Sequence, residues 1–113
     1  MIYAIIPTGN FERNFKQLSK KYRSLDDDYE DLINELLKNP LIGDDLGENT
    51  RKVRMSIASK NKGKRGGARV ITCNVMVDVE NSEIYLLTIY DKSKQETISK
   101  EEIQLLKKMC GLI

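Results

Sequence analysis

RKVRMSIASKNKGKRGGARVITCNVMVDVENSEIYLLTIY, residues 51–90, decides the fold. From Lys52 the pattern has period two: Val53, Met55 and Ile57 alternate with Lys52, Arg54 and Ser56, which predicts a strand with one apolar face. Lys52 and Arg54 then lie side by side on the opposite face, because side chains alternate across a strand. Residues 59–67 (SKNKGKRGG) read as a flexible basic loop. Residues 68–79 (ARVITCNVMVDV) read as a second strand, Asn81-Ser82 as part of a hairpin turn, and residues 83–90 (EIYLLTIY) as the partner strand. The near-continuous apolar run of this pair predicts central strands covered on much of both faces.

N-terminal to this block, residues 2–6 (IYAII) predict a short strand ended by Pro7-Thr8-Gly9. Phe11, Phe15, Leu18 and Tyr22 recur at helical spacing and predict a helix over 10–22. Ser24 is expected to open a second helix, with Asp26, Asp27 and Asp28 favourable at the positive end of its dipole. Its stripe is Tyr29, Leu32, Ile33, Leu36 and Leu37, and Asn39-Pro40 stops it. Residues 40–50 (PLIGDDLGENT) read as a turn-rich connector. C-terminal to the block, Ser99 and Glu102 have capping-box spacing and open a last helix. Its apolar side is Ile103, Leu106 and Met109, widened by Leu105, and Gly111 ends it. The order β-α-α-β-β-β-α predicts an α+β fold. The sheet is largely antiparallel, with an N-terminal helical hairpin packed on one face and the C-terminal helix on that same face.

The chain has 113 residues, the length of one domain, so residues 1–113 are read as a single domain. No apolar run approaches the roughly 18–20 residues that cross a bilayer, and MIYAIIPTGNF lacks the basic region and cleavage site of a secretory leader. Cys73 and Cys110 form no CxxC pair, and two cysteines are too few for a disulfide framework, so a cytoplasmic setting is expected. There is no histidine. Ser-His-Asp and Cys-His catalysis and histidine-ligated metals are therefore excluded, and no metal or cofactor is expected.

Charge is unevenly distributed. Residues 1–50 hold six Lys/Arg against ten Asp/Glu, and residues 51–113 hold thirteen against seven. Positions 51–69 carry eight cations and no acid: Arg51, Lys52, Arg54, Lys60, Lys62, Lys64, Arg65 and Arg69. Such a cluster suits a polyanion. Gly63, Gly66 and Gly67 lack phosphate-loop spacing and lie between strands. The Asp26–Asp28 run is explained by helix-start chemistry, and Asp44-Asp45 by turn chemistry, better than by a metal site. Cleavage of RNA by its own 2′-hydroxyl needs a base, charge stabilisation at the phosphate, and an acid for the leaving 5′-oxygen. Arginine supplies the second through its fork. A lysine beside other cations can supply the first, since like charges disfavour its protonated form.

The chain resembles, over nearly its whole length, the RelE/HigB branch of bacterial type II toxins in the RelE/ParE superfamily. IIPTGNFERNFKQLSKKY resembles that group's first strand and helix, and ELLKNPLIG the end of its second helix. The most specific pairing is the KGKRGGAR loop followed by YLLTIYDK. The resemblance implies an antiparallel sheet with an N-terminal helical hairpin, and a ribosome-dependent endoribonuclease that cuts mRNA in the A site. It also implies silencing by a cognate antitoxin, with a helix-turn-helix protein as its expected type. Matched by position, it assigns Lys52 as candidate base, Arg54 and Arg69 as phosphate clamps and Lys92 as candidate acid, with base and acid interchangeable. Lys60, Lys62, Lys64 and Arg65 would hold RNA backbone. Relatives commonly have a tyrosine at the position of Cys73, and Tyr90 is the aromatic that could replace its stacking. Arg69, taken as a surface cation, is expected to be dispensable for folding.

Two other functions stay open on the sequence: a DNA gyrase inhibitor of the ParE type, and a silent antitoxin- or RNA-binding module. The basic positions Lys52, Arg54, Arg69 and Lys92 favour the nuclease, because a gyrase binder has no need of them.

Overall fold

A computed structural model describes residues 1–113. Five strands form one sheet: β1 (Ile2–Pro7), β2 (Asp44–Gly47), β3 (Thr50–Met55), β4 (Ala68–Met76) and β5 (Asn81–Asp91). They lie in the order β1-β5-β4-β3-β2. Only β1 and β5 run parallel, with Ile2 beside Asn81 and Pro7 beside Leu86, and every other pair is antiparallel. Three helices complete the α+β fold: α1 (Gly9–Lys21), α2 (Leu25–Lys38) and α3 (Lys100–Met109). None is long and apolar enough to cross a membrane.

The sheet is covered on both faces. Phe11 of α1 and Leu25, Leu32 and Leu36 of α2 pack with Val53, Met55, Val70, Ile84, Leu86 and Ile89. On the other face, Ile103 and Leu106 of α3 pack with Ile71, Cys73, Leu87 and Tyr90. The expected placement of all helices on one face is thus corrected, because the apolar run of β4 and β5 supplies two faces and each needs a cover. A bulge at Leu87 lets Leu86 and Ile89 reach one core while Leu87 and Tyr90 reach the other. On α3, Leu105 and Met109 are exposed while Lys107 is buried. The Lys107 amine reaches the backbone carbonyl of Glu48 at 3.2 Å, so a long basic side chain fills the place expected of an apolar one.

Local boundaries shift for identifiable reasons. The 40–50 connector contains the edge strand β2, which sequence patterning missed because Asp44-Asp45-Leu46-Gly47 is wholly exposed and poor in strand formers. The β4–β5 turn lies before Asn81, not at Asn81-Ser82. The Asp78 carboxylate accepts from the backbone N–H groups of Glu80 and Asn81, so the turn forms around Asp78 and both expected turn residues enter β5. Thr8 caps α1 by accepting from Phe11 N–H, and Ser99 caps α3 by accepting from Glu102 N–H. Ser24 makes no side-chain cap on α2. Its hydroxyl instead donates to buried Asp28 at 2.7 Å and accepts from Ser59 N–H at 2.9 Å.

Candidate functional site

The face of the sheet carrying α3 also carries the basic constellation. Thr50, Lys52 and Arg54 alternate along β3, and opposite them on β4 stand Cys73, Ile71 and Arg69. Arg69 in turn pairs with Tyr90 of β5, so Arg54, Arg69 and Tyr90 form one row across three strands. Lys52 lies two residues before Arg54 on one side of this row, and Lys92 lies two residues beyond Tyr90 on the other. Of the four expected catalytic positions, the fold therefore brings Lys52, Arg54 and Arg69 onto one face and puts Lys92 at its margin.

Their environments differ. Arg54 is exposed and Lys52 half-buried, and neither has an ion-pair partner. Arg69 is 5% exposed, which corrects the expectation of a surface cation. Its guanidinium donates to the backbone carbonyls of Lys64 (3.0 Å), Ala68 (3.1 Å) and Arg65 (3.2 Å). Burial first, and the charge of Arg54 second, pull the Arg69 guanidinium below its ordinary value, and it remains cationic at neutral pH. Lys92 is paired with Glu96, four residues on, at 2.8 Å, and its backbone N–H donates to the Gly67 carbonyl.

The basic loop is tied to the fold at several points. It opens with a 3-10 turn, Ala58–Lys60, whose first N–H donates to both oxygens of the buried Asp28 carboxylate. Sequence reasoning gave Asp28 only to the dipole of α2. Its four-residue offset from Ser24 was the available signal, because both residues turn to the same side of the helix. The Lys60 amine, 2.8 Å from Asp91, is nearly inaccessible and does not face solvent as an RNA-holding group would. Lys64 pairs with Glu35 of α2 at 2.8 Å. Lys62 and Arg65 are exposed with no ion-pair partner, and they are the loop cations open to a ligand. Gly67 is required by close approach, since a Cβ there would fall 2.1 Å from the Met55 carbonyl oxygen.

Asp91, unnoticed in the sequence, gathers the loop. Its carboxylate accepts from the Tyr22 hydroxyl, from Lys60, and from both the backbone and the hydroxyl of Ser93. Desolvation pushes its pKa up, but the hydrogen bonds from Lys60, Tyr22 and Ser93 outweigh it and hold the carboxyl far below the usual range. The same contact raises the Tyr22 phenol.

The two remaining positions are packing sites. Cys73 is buried against α3, with its thiol pushed up by desolvation, so it presents no stacking surface. Tyr90 is 7% exposed, and its hydroxyl has no hydrogen-bond partner. Burial raises the Tyr90 phenol, with Arg69 opposing the shift. At the other end of β3, a cleft of about 630 Å³ separates the β2–β3 hairpin from α3; it is lined by Asp45, Glu48, Thr50, Ile103, Gln104 and Lys107 and includes none of the row.

The site is thus a sheet face carrying exposed Arg54 and half-buried Lys52, beside a basic loop tied to α2 and β5, on an α+β domain. A family model described as "RelE toxin of RelE / RelB toxin-antitoxin system" matches residues 11–113. The chain belongs to the RelE toxin family, and the family implies an antitoxin partner of the RelB type.

Proposed function

We propose that this chain is a metal-independent endoribonuclease that cuts mRNA in the ribosomal A site. The observation carrying this reading is exposed Arg54 in register with buried Arg69, with half-buried Lys52 beside them and Asp44 of β2 opposite Lys52. The free Arg54 fork suits the non-bridging oxygens of a phosphate, whose negative charge grows as the 2′-oxygen bonds to phosphorus, while Arg69, turned to the loop carbonyls, adds positive charge beside it. Lys52 takes the 2′-hydroxyl proton. The bond from phosphorus to the 5′-oxygen breaks, and a proton from Lys92, released from Glu96, goes to that oxygen. The products are a 2′,3′-cyclic phosphate and a 5′-hydroxyl end. The roles of Lys52 and Lys92 are interchangeable in this scheme.

Openness supports the ribosome requirement. Arg54 is exposed, so the protein alone neither excludes water from the phosphate nor fixes the attacking hydroxyl in line. A second surface must do both. Lys62 and Arg65 hold RNA backbone, and the antitoxin silences the toxin by occupying the same cationic face, where opposite charge speeds encounter. The test is primer extension on a defined mRNA with purified, antitoxin-free protein, with and without programmed ribosomes. Cuts at the A-site codon only with ribosomes are expected. No cuts from folded protein would overturn the nuclease reading.

A further inference from the structure

We propose that Asp91 is a positioning residue for this cleavage, fixing Arg69 and Lys92 through the loop it anchors. The inference rests on the nuclease reading and adds a residue that touches no substrate. Asp91 ends β5 directly between Tyr90, which pairs with Arg69, and Lys92. Its side chain is 2% exposed and that of Lys60 8%, so the ion pair is shielded from solvent on both sides. Tyr22, at the end of α1, and Ser93 complete the carboxylate's partners.

The chain of contacts is continuous. Lys60 closes the 3-10 turn that starts the loop. The loop then supplies the Lys64 and Arg65 carbonyls that orient the Arg69 guanidinium. It returns through Gly67, whose carbonyl holds the Lys92 backbone. Moving Lys60 therefore moves the acceptors of Arg69 and the neighbour of Lys92 together. An acidic residue this near the row would weaken phosphate binding if its charge were free. Lys60 neutralises it, so Asp91 anchors without repelling RNA. A displacement of about 1 Å in such a frame lowers a rate by roughly a hundredfold.

The experiment is single-turnover cleavage on programmed ribosomes by Lys60→Met, Asp91→Asn and the neutral pair Lys60→Gln/Asp91→Asn, alongside thermal melts. Lys60→Met and Asp91→Asn are expected to lower the rate constant tenfold to about a hundredfold, with the half-saturating ribosome concentration and its salt slope unchanged. The neutral pair is expected to recover most of the rate, since side-chain hydrogen bonding is restored. Should Asp91→Asn fail to fold, Lys60→Met decides, because it leaves the carboxylate with Tyr22 and Ser93. Wild-type rate in folded Lys60→Met would overturn the proposal. So would a change confined to half-saturation and salt slope, which would make Lys60 an RNA contact, or a loss merely proportional to the unfolded fraction. If wild type itself is silent on ribosomes, the nuclease reading falls. Hydrogen exchange at the 58–67 amides then still reads the anchoring, with lost protection in Lys60→Met supporting it and unchanged protection overturning it.

Discussion

Arg54 and Arg69 stand directly opposite each other on adjacent antiparallel strands. Side chains so paired have Cβ atoms about 4.5–5.5 Å apart, and like charges there destabilise a sheet. The fold therefore holds two like charges in register, with Arg69 compensated by the carbonyls of Lys64, Arg65 and Ala68 and Arg54 left without a partner. Arg54→Gln relieves the repulsion while leaving the buried partner in place. It is expected to raise stability by about 0.2–1 kcal/mol and to abolish most cleavage. A thermal melt and a primer-extension assay on the same preparation check both halves.

Arg69→Ala should behave differently from its neighbour. The side chain is buried and its guanidinium donates to three carbonyls, so removal leaves acceptors unpaired and frees the loop. A loss of about 1–3 kcal/mol is expected, together with loss of cleavage. Urea denaturation measures the first. Unchanged stability would show that the loop holds its course without this clasp.

Lys62 and Arg65 are the loop's unpaired cations. Replacing both with serine should weaken ribosome binding uniformly across mRNA sequences and flatten its salt dependence, with little change in the melting temperature. Binding measured at several salt concentrations tests this. An altered cut-site preference at unchanged affinity would contradict a backbone-only role.

Gly67→Ala forces a Cβ to 2.1 Å from the Met55 carbonyl oxygen, so strand and loop must separate. Overpacking of this kind typically costs about 1–3 kcal/mol. Gly9→Ala, where a Cβ meets nothing within 4 Å, is the control and should be neutral or slightly stabilising. Comparison of the two melts decides whether close approach or general glycine loss matters.

The depressed Asp91 carboxyl also fixes the sign of an acid effect. Its folded pKa lies below its unfolded value, so the folded state holds fewer protons and gains stability from this group above the ordinary carboxylate range near pH 4. That contribution declines as pH falls below this range toward the folded value. Denaturation midpoints between pH 7 and 3 should therefore fall less steeply in Asp91→Asn than in wild type. Parallel curves would place the acid sensitivity in other carboxyls.

Much of the fold was legible because its signals are periodic. Val53 and Met55 announce a strand, though Ile57 in the same pattern lies past its end, and Phe11, Phe15 and Leu18 announce a helix, without knowledge of any partner. The face that α3 covers was not legible, since a two-sided apolar run does not say which helix lies where. β2 was hidden for a related reason: its stability comes from pairing Asp44 with Lys52 and Asp45 with Arg51 rather than from burial. At the candidate site, alternation placed Lys52 and Arg54 on one face, but charge alone could not separate free cations from engaged ones. Lys60 and Lys62 look alike in sequence. One is held by a carboxylate from the far end of β5, and such long-range partners leave no local trace.

The parallel pairing of Ile2 with Asn81 has a consequence for synthesis. β5 joins the first strand of the sheet to all the others, and it is the last strand made. Until it leaves the ribosomal tunnel, β1 has no neighbour, Asp91 does not yet hold Lys60, and the cationic row lacks its frame. On a chain made from its N-terminus, the frame of the cationic row is therefore the last part of the sheet to form.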